Sequence, residues 1–215
     1  MIRVPRALLI DLDGTLVDSR RDIAASCNAA LVAHALSPLE AASIVGMVGD
    51  GARALVARAL VATGSTLDVD VVLATFQEHY GAHACVHTTL MPGAKELLSC
   101  GVPCAVLTNK PRPITLQVLE ALRIDVAAVW AGEGVLKPAP DGVLALCKRL
   151  DVPPADVWVV GDGPQDVGAG KAAGAFTVGV LGGIAHRDTL LASNPDLVVA
   201  SLDELARLIS SPRPS

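Results

Sequence analysis

Two aspartates two positions apart carry the first chemical signal in this chain. In Asp11-Leu12-Asp13-Gly14-Thr15-Leu16-Val17-Asp18 they follow the apolar run Ala7–Ile10 and precede a glycine turn. One carboxylate so placed can attack an electrophile while the other handles protons. An acidic turn is the plainer reading of Asp-Gly-Thr alone, since Asp and Gly are common turn formers. The whole string after an apolar strand favours chemistry. Three further polar strings have the same design. Leu107-Thr108-Asn109-Lys110 follows Cys104–Leu107 and offers a hydroxyl and backbone N–H groups to phosphoryl oxygens, although a threonine there also satisfies its own backbone. Lys137-Pro138-Ala139-Pro140-Asp141 offers an ammonium, a point charge suited to phosphate or to an attacking carboxylate, on a proline-stiffened loop. Val160-Gly161-Asp162-Gly163-Pro164-Gln165-Asp166 follows Val157–Val160 and offers the hard oxygen ligands that magnesium takes.

These strings need elements that bring them together. Short apolar runs at Ala7–Ile10, Cys104–Leu107, Val126–Trp130, Val157–Val160, Phe176–Val180 and Leu197–Val199 read as buried strands, because parallel strands covered on both faces are continuously apolar. Helix-like segments separate them, among them Ala94–Cys100, before Gly101, and Gln165–Ala173, before Gly174. The pattern is that of βα units on a parallel sheet, whose strand ends lie side by side and place the four strings around one centre. From Asp18 to about Thr88 the alternation stops. There Ile23, Cys27 and Leu31, and again Val72, Phe76 and Tyr80, recur at helical spacing, with breaks at Pro38 and Gly46–Gly51.

Composition sets the outer limits. The chain has 215 residues, 52% of them hydrophobic but only 2% aromatic, so its core is expected to be built from Ala, Val and Leu. A net charge of −5 argues against nucleic acid as a partner. No run approaches the ~18 apolar residues of a membrane span, and the N-terminus lacks the pattern of a signal peptide. Cys27, Cys85, Cys100, Cys104 and Cys147 form no CxxC pair and read as buried free thiols of a reducing cytoplasm.

The four strings in this order, with Met91-Pro92-Gly93-Ala94-Lys95-Glu96-Leu97-Leu98 between the first two, resemble the haloacid dehalogenase superfamily of aspartate-nucleophile hydrolases. Within it, Leu107-Thr108-Asn109-Lys110-Pro111 is similar to the phosphoglycolate phosphatase-like group. The resemblance covers nearly the whole chain. It implies an α/β fold with a Rossmann-like parallel sheet flanked by helices, core residues 1–17 and 89–215, and an inserted all-helical cap at 18–88. It also implies a Mg²⁺-dependent phosphatase acting on a small phosphorylated metabolite, with Asp11 attacking phosphorus to give an aspartyl phosphate and Asp13 serving as acid and then base. Mg²⁺ falls to the Asp11 carboxylate, the Asp13 backbone carbonyl and Asp162. Thr108, Asn109 and Lys137 fall to the phosphoryl group, and Asp166 to the metal's waters.

Arg53, after Gly49 and Gly51, lies in a segment that resembles the specificity loop of such caps. It is a candidate for a substrate carboxylate such as that of phosphoglycolate, with a solvated helix arginine as the plainer reading. Position 163 is Gly where relatives often carry Thr or Ser, so a brace on the acidic loop is expected to be missing. A sugar-phosphate mutase would carry the same strings. The other class to weigh is a non-catalytic nucleotide-binding or phospho-receiver module. Gly168-Ala169-Gly170-Lys171 lacks the first glycine and the following hydroxyl of a P-loop, and receiver domains lack a large helical insert.

Overall fold

The computed structural model describes residues 4–132 and 134–210. Its centre is a six-stranded parallel sheet. The strands are β1 (Ala7–Ile10), β4 (Cys104–Thr108), β5 (Ala128–Ala131), β6 (Val157–Gly161), β7 (Phe176–Val180) and β8 (Leu197–Val199), in spatial order β5-β4-β1-β6-β7-β8. Leu9 lies opposite Ala105 on one side and Val159 on the other. The chain thus builds outward from β1 to β5, then crosses back to start again at β6. That reversal leaves a crevice beyond the carboxyl end of β1, the usual ligand site of open α/β sheets.

The continuous apolar runs hide a two-way split. Leu8, Ile10, Cys104, Val106, Trp158 and Val160 belong to one hydrophobic core, and their neighbours Ala7, Leu9, Ala105, Leu107, Val157 and Val159 to another. Successive side chains leave a strand on opposite faces, and here both faces are covered, so neither half of the alternation can be polar. The first core includes residues of α5 (Ala94–Leu98), α6 (Arg112–Ala121) and α10 (Leu202–Ser210). The second includes residues of α7 (Asp141–Leu150) and α8 (Pro164–Ala173). The short α9 (Arg187–Ala192) connects β7 to β8. The strands expected at the first, fourth, fifth and sixth runs form with at most one added residue, and β4 gains Thr108. β5 begins at Ala128 rather than Val126, although Ala127 N–H still reaches the Cys104 carbonyl at 2.8 Å. α5 stops at Leu98, two residues short of the expected Cys100.

Between β1 and β4 the chain leaves the sheet through β2 (Val17–Asp18) and returns through β3 (Thr89–Leu90). These pair antiparallel, Val17 with Leu90 and Asp18 with Thr89, as a ribbon too short to leave a periodic trace in the sequence. Four helices lie between them: α1 (Arg20–Ala33), α2 (Ala41–Val45), α3 (Ala52–Ala62) and α4 (Val69–His83). α4 packs against both α1 and α3, and the two apolar stripes read from spacing, Ile23/Cys27/Leu31 and Val72/Phe76/Tyr80, are buried there. Three of the cysteines are buried, but Cys85 and Cys100 are only half-buried, which corrects the expectation for those two.

One buried carboxylate ties the two ends of this helical segment together. Asp22, in the first turn of α1, accepts from His87 N–H at 2.9 Å, from Thr88 N–H at 2.8 Å and from the Thr88 hydroxyl at 2.7 Å. Replacing it strands the buried Thr88 N–H and the partly buried His87 N–H, each at a cost of roughly 1–3 kcal/mol. Asp22→Ala is therefore expected to lose about 2–4 kcal/mol of stability in urea unfolding at an unchanged m-value. A loss below about 1 kcal/mol would show that water replaces the carboxylate.

Candidate active site

The four strand-end strings meet in the crevice beside β1. Asp11 N–H donates to the Val160 carbonyl at 2.9 Å, which carries the ladder one residue past the strand and fixes Asp11 at the sheet edge. The chain then turns over the Leu12 carbonyl, which accepts from Leu16 and Val17 N–H groups. Gly14 has φ +89°, and a Cβ there would lie 2.7 Å from Asp162 Oδ2, so a side chain would push apart the loops after β1 and β6. Asp162 Oδ2 accepts from Ile184 N–H at 2.6 Å and Ala185 N–H at 2.9 Å, and its Oδ1 from the Thr15 hydroxyl at 3.2 Å.

Lys137 is buried with all three ammonium protons committed. Its Nζ lies 2.7 Å from Asp11 Oδ1, 2.6 Å from Asp166 Oδ1 and 2.8 Å from the Leu107 carbonyl. Asn109 holds the lysine's backbone: its Oδ1 accepts from Lys137 N–H at 2.8 Å and its Nδ2 donates to the Lys137 carbonyl at 3.0 Å. The same Nδ2 donates to the Gly49 carbonyl at 3.0 Å. The Asn109 side chain is therefore a brace between loops. Thr108 is buried, and its Oγ1 accepts from Lys110 N–H at 3.2 Å, which leaves a hydroxyl proton to donate. Asp166 Oδ2 accepts from Gly163 N–H at 3.1 Å, so the acidic loop is braced through backbone where a hydroxyl at 163 was expected to be missed. Gly161 permits this: a Cβ there would fall 2.1 Å from Asp166 Cγ.

Charge dominates the floor. Asp11, Asp13, Asp162 and Asp166 face Lys110 and Lys137, an excess of two negative charges when all are ionised. Burial pushes the Asp11 carboxyl up to about 7; Lys137 opposes this, and Asp166 and Asp13 add to it. Burial, then the nearby Asp11, pushes Asp162 up to about 6. Burial likewise raises Asp166. Burial alone would depress the Lys137 ammonium, but Asp11 and Asp166 together hold it above the usual lysine range. Carboxylate oxygens of Asp11, Asp162 and Asp166 lie within 4.8 Å of one another. An all-oxygen set with two surplus negative charges suits a hard divalent cation. Asp13 stands apart from that set. Its Oδ1 accepts from the Ser19 hydroxyl at 2.6 Å and from Lys110 Nζ at 2.9 Å, and its Oδ2 lies 3.2 Å from the same ammonium.

The helical segment covers this floor. Ile23, Val48, Ala52, Leu55, Phe76 and Tyr80 form the apolar roof of the cavity above it. Gln165 Nε2 donates to Asp50 Oδ1 at 2.7 Å, a second link from core to roof. The structure brings Asp11, Asp13, Thr108, Asn109, Lys137, Asp162 and Asp166 to this one cavity. It does not bring Arg53. That guanidinium is largely exposed and paired with Asp70 at 2.5 Å, as the plainer reading had it. Lys110 and Tyr80 were missed as site residues. Lys110 Nζ donates to the Tyr80 hydroxyl and sits 4.4 Å from that ring's centroid. The helical spacing places Tyr80 only on a buried helix face, yet it is the single tyrosine of the chain, a rarity that marks it.

Known proteins resemble this chain over most of its length. The family model described as haloacid dehalogenase-like hydrolase matches residues 5–174. A phosphoglycolate phosphatase from Haemophilus influenzae is 36% identical, with 93% of this chain and 95% of that protein covered. Another from Escherichia coli strain K12 is 32% identical, with 96% and 93% covered. The crystal structure of a predicted phosphoglycolate phosphatase from Haemophilus somnus 129pt superimposes with a TM-score of 0.88 at 27% identity, over 97% of this chain and 99% of that one. The chain belongs to the haloacid dehalogenase-like hydrolase family, and within it to the phosphatases.

Proposed function

We propose that this enzyme hydrolyses a small phosphomonoester through an aspartyl phosphate, with phosphoglycolate the leading candidate substrate because the relatives above bear that name. The observation that carries the reading is the position of Asp11, at the end of β1, with one oxygen held by Lys137 and flanked by Asp13, Thr108 and Asp162 in one cavity. Asp11 attacks phosphorus, an O–P bond forms, and the bond to the ester oxygen breaks. Asp13 gives its proton to the departing oxygen. Water then attacks the aspartyl phosphate, Asp13 takes its proton, and phosphate leaves as the Asp11 carboxylate is restored. Lys137 keeps the nucleophile oriented, and the Thr108 hydroxyl and the backbone N–H groups of its loop hold phosphoryl oxygens. Asp11, the Asp13 backbone carbonyl and Asp162 would hold Mg²⁺, with Asp166 orienting its waters. When bound, the ion screens the repulsion between an anionic nucleophile and an anionic phosphoryl group. Residues 18–88 act as a cap that excludes water from the reaction, in the manner of an enzyme lid.

Asp11→Asn should lose on the order of 10⁴-fold or more in kcat with p-nitrophenyl phosphate, measured by nitrophenolate release on a variant of unchanged circular dichroism. Activity near wild type would remove Asp11 from the nucleophile's role. Asp13→Asn should lose about 10²–10⁴-fold.

Metal binding should track the raised carboxyls. In the folded protein without metal, Asp11 and Asp162 keep their protons up to about 7 and about 6, while in the unfolded chain they lose them near 3.8. Their contribution to stability is therefore full below about pH 4 and is lost as pH rises through those values. A cation that needs them ionised acts in the opposite sense. The rise in Tm on adding Mg²⁺ should grow from about pH 5 to about pH 8, and calorimetry near neutral pH should show proton release on binding. A Tm rise that does not depend on pH would place the ion elsewhere. Chelation by EDTA should silence turnover.

A further inference from the structure

Specificity in this cavity depends on which cation stands where the leaving group must lie. Arg53, the sequence's candidate, faces solvent and Asp70. Among the described residues lining the cavity only Lys110 and Lys137 are cationic. Lys137 has given its three protons to Asp11, Asp166 and the Leu107 carbonyl, at the phosphoryl end. Lys110 stands where the polar floor meets the apolar roof, with Asp13 on one side and the Tyr80 hydroxyl on the other.

Resting on the phosphatase reading, we propose that Lys110, assisted by Tyr80, recognises a carboxylate on the carbon next to the ester oxygen, so that the substrate is an O-phosphorylated 2-hydroxy acid. The geometry sets the reach. The ester oxygen must lie within hydrogen-bond distance of the Asp13 carboxyl, and Lys110 Nζ is 2.9 and 3.2 Å from its two oxygens. The ester oxygen therefore lies within about 6 Å of that ammonium, and a carboxylate on the adjacent carbon closes the remaining ~3 Å. Only 1% of the Lys110 side chain is exposed, so a carboxylate arriving there meets a charge that water screens weakly. Beyond it, Ile23, Leu55 and Phe76 offer no polar partner for a neutral, hydroxylated leaving group. Lys110 and Tyr80 come from the loop after β4 and from α4, so the proposed recognition site exists only with the roof in place.

The test compares kcat/KM for phosphoglycolate with that for 2-hydroxyethyl phosphate, a neutral ester of similar size, and reads their ratio. The wild-type enzyme should favour phosphoglycolate by at least about tenfold. Lys110→Met should collapse the ratio by about 10–100-fold, whatever loss the two esters share. Lys110→Arg should keep much of it, Tyr80→Phe should lower it severalfold, and Arg53→Ala should leave it unchanged. Collapse in Arg53→Ala, or an intact ratio in both Lys110→Met and Tyr80→Phe, overturns the proposal. A wild-type enzyme that turns over p-nitrophenyl phosphate but does not favour phosphoglycolate overturns it too, while the phosphatase reading stands. Should no ester be hydrolysed with Mg²⁺ present, both readings fall.

Discussion

Four carboxylates share a buried floor in this molecule, and such a floor is tenable only when compensated. Isolated buried charge costs several kcal/mol per group, and one partner left unpaired is worse than none. Lys137 supplies the central compensation, reaching Asp11, Asp166 and the Leu107 carbonyl together. That arrangement does two things. It offsets part of the burial cost that pushes Asp11 toward neutrality, and it fixes the direction from which the Asp11 carboxylate faces the cavity. When all four carboxylates are ionised, the remaining surplus of negative charge suits a hard divalent cation.

Everything nearby serves that cluster. Asn109 clamps the Lys137 backbone, Gly163 N–H holds the second oxygen of Asp166, and the Ile184 and Ala185 N–H groups hold Asp162. Gly14 and Gly161 leave the room that lets these loops close on the acids. The sheet reverses direction beside β1, which is why strings far apart in sequence arrive at one place.

How much of this could be read in advance follows physical lines. The strands were legible because β1, β4 and β6 are covered on both faces, which turns them into unbroken apolar runs. Asp11, Asp13, Lys137 and Asp162 were legible because a chemically active type followed each such run, or soon after it. Arg53 was not, since sequence position says nothing about which way a long side chain points, and Asp70 was there to take it. Asn109 was placed at the site, but the bracing bonds of its side chain were not legible, because an amide beside a phosphate loop and an amide bracing that loop look alike in sequence. Tyr80 and Lys110 meet from positions thirty apart through a fold-dependent contact that no local spacing reports. The β2–β3 ribbon was invisible for want of length.

That ribbon has a kinetic meaning. Val17 with Leu90 and Asp18 with Thr89 bring the two crossings of a long excursion to neighbouring positions. Once they pair, β1 and β4 are joined, for the purposes of chain entropy, by residues 11–16 and 91–103 rather than by the whole excursion, and the cost of uniting distant strands shrinks accordingly. A segment tethered so narrowly can also lengthen, shorten or be exchanged over generations without disturbing the register of the sheet it hangs from.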